Sequence, residues 1–115
     1  MEYLDYEKLD VYRASINFIT VTSEIVENLP TGKSFIANQL QRAATSIPLN
    51  VAEGAGEFSA SEKARFYRIA RRSATECAAI LEVCRRFGVV EELCFEKGRE
   101  LLVRIVSMLV KMARR

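Results

Sequence analysis

Apolar positions along the chain recur at alternating steps of three and four residues, the spacing that lines one face of an α-helix. Between Tyr6 and Asn28 that face reads Leu9, Tyr12, Ile16, Ile19, Ser23 and Val26. From about Lys33 to Ala52 it reads Ile36, Leu40, Ala43, Ile47 and Val51. A third face runs through Phe66, Ala70, Ser73, Cys77, Ile80, Cys84 and Phe87. A fourth, between about Glu91 and Arg114, runs through Cys94, Gly98, Leu102, Ile105, Leu109 and Met112. No stretch of useful length alternates with period two, so the pattern predicts no sheet.

The breaks fall where helices should stop. Pro30-Thr31-Gly32, Gly54-Ala55-Gly56 and Gly88 divide the chain into four segments, each long enough for a helix. Ser59-Ala60-Ser61-Glu62 reads as a capping box opening the third helix, with the serine oxygen on the Glu62 amide and the glutamate reaching back. Gly88 then closes that helix in a left-handed cap. Pro48 lies inside the second segment, where it removes a backbone donor and presses on the carbonyl of Ala44. That predicts a kink near Pro48, not a break. Four amphipathic helices with short connections favour antiparallel neighbours. The expected fold is all-α, an antiparallel up-down-up-down four-helix bundle forming a single domain over residues 1–115.

Two of the faces are wider than one seam needs. Tyr67, Ala74 and Leu81 flank the third stripe, and Leu101, Val106 and Val110 flank the fourth. Two readings stand: a wide core within one chain, or a subunit interface.

Composition narrows the function classes. Half of the 115 residues are hydrophobic, enough for one core. No apolar run approaches the ~20 residues needed to span a bilayer. The N-terminal Met1-Glu2-Tyr3-Leu4-Asp5 lacks the basic and apolar regions of a secretory signal, so a cytoplasmic location is expected. Cys77, Cys84 and Cys94 are odd in number and form no CxxC pair, and the chain has no histidine. In a reducing compartment such thiols read as small core residues. A net charge of +2, from 17 basic and 15 acidic side chains, makes placement of charge the only route to nucleic-acid binding.

Two polar groupings carry candidate chemistry. In the second helix, Arg42, Ser46, Asn50 and Glu53 line one side at steps of four, four and three. They read chiefly as a structural network with partners on a neighbouring helix, Glu76 for Arg42 among them, and otherwise as a binding site. Glu53 and Glu76 do not make a bundle di-metal site, which also needs Glu-x-x-His motifs. With no nucleophile or phosphate loop nearby, neither catalysis nor a cofactor is expected. In the third helix, Lys63, Arg65, Arg68, Arg71 and Arg72 fall within ten residues, with Arg65, Arg68 and Arg72 on one exposed face and Tyr67 turned to the apolar side. Such arginines suit phosphate contacts. The alternative is a solvated face paired with Glu62 and Glu76. Arg85-Arg86 and the tail Lys111, Arg114 and Arg115 are explained by the dipoles of the helices they end.

Three blocks carry a family resemblance: Tyr6-Glu7-Lys8-Leu9-Asp10-Val11-Tyr12; the long block from Gln39 to Gly54, with its Ser46-Ile47-Pro48-Leu49-Asn50-Val51-Ala52-Glu53-Gly54 core; and Phe66 to Glu76. Together they resemble the 23S rRNA-intervening sequence protein family of bacterial four-helix bundles, with the accessory protein of diversity-generating retroelements a more distant relative. The resemblance implies a ring-like homopentamer. In the retroelement relative a basic surface binds nucleic acid and the partner is a reverse transcriptase. The chain departs from the family pattern at Arg72, where glycine usually precedes the serine of the third block. Either a close helix contact opens there or Arg72 aims outward. The expected function is therefore a non-enzymatic oligomer that holds RNA or DNA without sequence specificity, the alternative being a scaffold for a protein partner.

Overall fold

The computed structural model describes residues 4–114. Met1, Glu2, Tyr3 and Arg115, which enter the readings of the N-terminus and the basic tail, lie outside them. A 3₁₀ turn over Asp5–Lys8 precedes four helices: α1 (Asp10–Glu27), α2 (Ser34–Ala55), α3 (Ala60–Phe87) and α4 (Glu92–Met112). Each helix packs on the next, α4 closes back on α1, and side chains of all four helices share one core. This is the expected antiparallel four-helix bundle, and no strand occurs among the described residues.

Capping chemistry sets the ends of α3. The Ser59 hydroxyl accepts from the Glu62 amide at 3.0 Å. Glu62 completes only half a capping box, because its carboxylate turns forward to Arg65 at 2.7 Å instead of back to the Ser59 amide. At the other end Gly88 sits at φ 69°, a left-handed conformation that glycine adopts without strain. Its amide donates to the Arg85 carbonyl at 3.0 Å and that of Val89 to Cys84 at 3.1 Å, which satisfies two carbonyls of the last turn. The Arg85–Glu92 ion pair, at 2.6 Å, then ties the end of α3 to the start of α4.

The core confirms the predicted stripe of α2 in full: Ile36, Leu40, Ala43, Ile47 and Val51 are all buried. On α1 the buried face is offset from the expected one, whose Leu9, Tyr12, Ile19 and Val26 pack half-buried at the edge of the core. Val11, Ala14, Phe18, Val21 and Ile25 point inward, whereas Ile16 and Ser23 are exposed. Both sets repeat at threes and fours, and neither is wholly apolar, since Ser15 and Thr22 are buried along with the inward set. On α3 the flanking Tyr67, Ala74 and Leu81 are core residues, as is Leu101 on α4, while Phe66 is half-buried and Phe87 is exposed. Most of the extra apolar width is therefore a wide core within one chain. Val106 and Val110 remain half-buried.

The break expected at Gly54-Ala55-Gly56 falls later than the glycines suggested, because Gly54 and Ala55 are the last residues of α2. The helix runs through Pro48 as one element and carries Gly54 against α3. A Cβ at Gly54 would lie 2.6 Å from Tyr67 Cε1 and 3.2 Å from Phe66 Cβ. Tyr67 is buried, so its ring has little room to retreat. Gly98 plays a similar part on α4, where a Cβ would stand 3.0 Å from Leu81 Cδ1.

Overpacking of this kind costs about 1–3 kcal/mol, against about 1 kcal/mol gained when alanine replaces glycine in a helix. Gly54→Ala is thus expected to lower stability by up to about 2 kcal/mol in a urea melt. Gly56→Ala is the control: its Cβ would meet only backbone oxygens at 3.6 and 3.7 Å, so the melt should not move down. Equal midpoints for the two variants would refute the tight α2–α3 contact.

Candidate functional site

The capped start of α3 presents the basic cluster, and the structure separates its five members by what they touch. Lys63 is committed internally: its Nζ donates to the carbonyls of Gly54 and Ala55, at 3.3 and 3.1 Å, and so caps the C-terminus of α2. Arg65 donates from Nε to Glu62 and lies over the Phe66 ring, 4.4 Å from its centroid. Arg68 and Arg72 are exposed and Arg71 is half-buried. The ion pairs among the described residues are Arg13–Asp10, Arg65–Glu62 and Arg85–Glu92, and Arg68, Arg71 and Arg72 enter none of them. Of the two outcomes foreseen for Arg72, the structure shows the outward one.

The polar constellation of α2 is brought together only in part. Asn50 Nδ2 donates to the Ser46 carbonyl at 2.8 Å and to its hydroxyl at 3.0 Å. Ser73 Oγ on α3 donates to Ser46 Oγ at 2.8 Å, a direct polar link between the helices. Arg42 and Glu76 line one open hollow, together with Ser46 and Ser73, but they form no ion pair with each other. Glu53 stands apart and lines a different hollow with Tyr6, Leu49 and Glu57. The expected Arg42–Glu76 partnership is thus replaced by an unbridged cation and anion on facing walls.

The hollow also contains residues that sequence reasoning passed over: Phe35, Asn38 and Gln39 on the first turns of α2. The signal was available, since Asn38 and Gln39 precede Arg42 by four and three positions and Phe35 precedes Asn38 by three. Phe35 is 55 % exposed, although large for a surface position. At the same end of the bundle the Lys33 ammonium lies 4.3 Å from the centroid of the Phe87 ring.

The thiols are placed as core groups. Cys77 and Cys84 are fully buried and Cys94 half-buried, and all three are free. Burial, followed by the charge of Glu76, pushes the Cys77 thiol up from 9.0 to about 12. Burial likewise raises Cys84. Cys94 is raised by burial and then by Glu24 and Glu91. Among the described residues no three Cys, Asp or Glu side chains gather as a metal-holding group. A thiol-specific reagent at neutral pH is expected to modify at most Cys94 in the folded protein and all three cysteines after unfolding. Because the folded Cys77 keeps its proton above the pH at which the unfolded thiol loses it, stability should fall as pH rises from about 9 toward about 12. Rapid labelling of Cys77 in the native state would contradict its placement.

Among solved structures, the chain is similar to a protein of unknown function from the S23 ribosomal protein family of Bacteroides thetaiotaomicron VPI-5482. The two share 20 % identity and superpose with a TM-score of 0.82 over 91 % of this chain and 99 % of that one. A comparison with curated proteins finds no match. The family model for the 23S rRNA-intervening sequence protein matches residues 7–111, which takes in nearly all of the four helices and every residue of both polar groupings. The chain belongs to the 23S rRNA-intervening sequence protein family.

Proposed function

We propose that this protein is a non-enzymatic nucleic-acid-associated bundle that works as a homo-oligomer in the cytoplasm and holds RNA or DNA through the outer face of α3, without reading sequence. The observation that carries this reading is the pair of outward arginines, Arg68 and Arg72, both exposed and in no ion pair. Arginines freed of internal partners can neutralise phosphates, and each contact releases counterions regardless of base identity. One subunit offers only a few such contacts, with Arg71 and Arg65 beside the outward pair. A ring of copies, as the family resemblance implies, multiplies them. The three free cysteines suit a reducing compartment. Lys63 drops out of the phosphate-binding set because its ammonium is already engaged by α2.

A second reading, a scaffold for a protein partner, is favoured by one feature. Phe58, in the α2–α3 connection, is wholly exposed, and Leu49 and Leu4 are 64 % and 62 % exposed. Nucleic-acid affinity separates the two readings. Filter binding of RNA across a salt series is expected to show affinity falling steeply with salt. Arg65→Ala/Arg68→Ala/Arg72→Ala should flatten the log–log slope by about 1 for each phosphate that is no longer neutralised. Lys63→Ala should leave the slope as it is and lower the melting point instead. Unaltered binding by the triple variant would remove the stripe from consideration, and no binding by an intact oligomer at low salt would favour the scaffold.

A further inference from the structure

The hollow between α2 and α3 combines features that the basic stripe alone does not need. Phe35 offers an aromatic face with more than half its surface in water. Asn38 and Gln39 bring amide groups that both donate and accept. Arg42 and Glu76 add a cation and an anion to the walls, and neither is bridged to the other. The floor is rigid, because Ser46 is held by Asn50 on its own helix and by Ser73 across the seam. On α3, Arg72 directly precedes Ser73 and stands one helical turn before Glu76, two residues that line the hollow, and Arg68 stands one turn before Arg72.

We propose that this hollow seats an unpaired nucleobase, so that the nucleic acid this protein prefers is single-stranded. The inference rests on the nucleic-acid reading above and narrows it. A base stacked on Phe35 gains contact that any of the four bases can supply. Its polar edge then meets Asn38, Gln39 and the Glu76 carboxylate, which accepts from exocyclic amino groups. Arg42 serves the adjoining phosphate, and Arg68 and Arg72 take the phosphates that follow. A duplex cannot use the hollow, because its bases are stacked on one another and their edges are paired. The charges favour this occupant over a second copy of the chain. An apolar interface between copies would leave Arg42 and Glu76 desolvated without a bridge between them, which is costly.

Fluorescence anisotropy with a labelled single-stranded RNA 12-mer of mixed sequence, and with the duplex of the same sequence, tests the proposal on the full chain. Wild-type protein is expected to bind the single strand more tightly. Phe35→Ala should weaken that binding on the order of tenfold while leaving the duplex unchanged, and Phe35→Tyr should restore it. Arg68→Ala/Arg72→Ala should weaken both probes. Phe35 lies on the surface, and a thermal melt matching wild type keeps the variant interpretable. Equal single-strand affinity for wild type and Phe35→Ala, with the arginine variant impaired, would overturn the base seat and leave the nucleic-acid reading standing. A wild-type protein that binds neither probe would overturn both. A Phe35→Ala protein that binds RNA normally but changes its subunit number by light scattering would assign the hollow to an interface between copies and overturn the proposal.

Discussion

Gly54 and Tyr67 meet where α2 ends and α3 begins, and their contact sets the distance between the two helices that carry every candidate functional group. Because Gly54 has no Cβ, the buried Tyr67 ring lies close against the α2 backbone. That approach brings Lys63 within reach of the last carbonyls of α2. Farther along the same seam it brings Ser46 and Ser73 to within 2.8 Å. The α2–α3 seam is the most extensive in the bundle. A bulkier residue at position 54 would force apart both the polar link and the walls of the hollow beside it.

Cations on this bundle do three different things, decided by where the helices place them. Lys63 and Arg85 finish helix ends, the first by capping carbonyls and the second by an ion pair across the α3–α4 turn. Lys33 lies over the ring of Phe87 and Arg65 over that of Phe66, where an exposed cation–aromatic contact contributes about 0.5–1 kcal/mol. Arg42, Arg68, Arg71 and Arg72 are left without a carboxylate partner among the described residues. With a net charge of only +2, the partitioning of cations matters more than their total. Other exposed cations outside the ion pairs, Lys97, Arg99 and Arg104 among them, lie on α4, so what sets α3 and the neighbouring wall of α2 apart is the clustering of Arg68, Arg71 and Arg72 beside Arg42.

The fold was legible in the sequence because four helices, their glycine and proline boundaries and the Ser59 and Gly88 caps are all local signals. The inward face of α1 was not, because Leu9, Tyr12, Ile16 and Ile19 compete with Val11, Phe18 and Val21 at the same spacing. Only packing against α2 and α4 decides between such sets. The fate of individual cations was also hidden. Lys63 looks like its neighbours in sequence, and its role appears only when α2 turns back to present two carbonyls. Of the polar constellation, the Ser46–Asn50 bond is a helical i, i+4 contact and could be read directly. The Ser73 partner and the unbridged Arg42 and Glu76 depend on how two helices are set side by side. Phe35 was passed over because a single exposed aromatic on an amphipathic helix carries no signal until the groove beside it is seen.

The arginines and the hollow are mounted on α2 and α3 as one stiff pair, and native-state hydrogen exchange reads that stiffness without any ligand. Amides from Ala43 to Val51 on α2, Pro48 having none, and from Ala70 to Ile80 on α3 should be the slowest to exchange and should open together as denaturant is raised. The 3₁₀ turn and the ends of α1 and α4 should open earlier. Exchange that frees the second half of α2 or the first half of α3 ahead of α1 and α4, with the two opening independently, would show that the pair is not a unit.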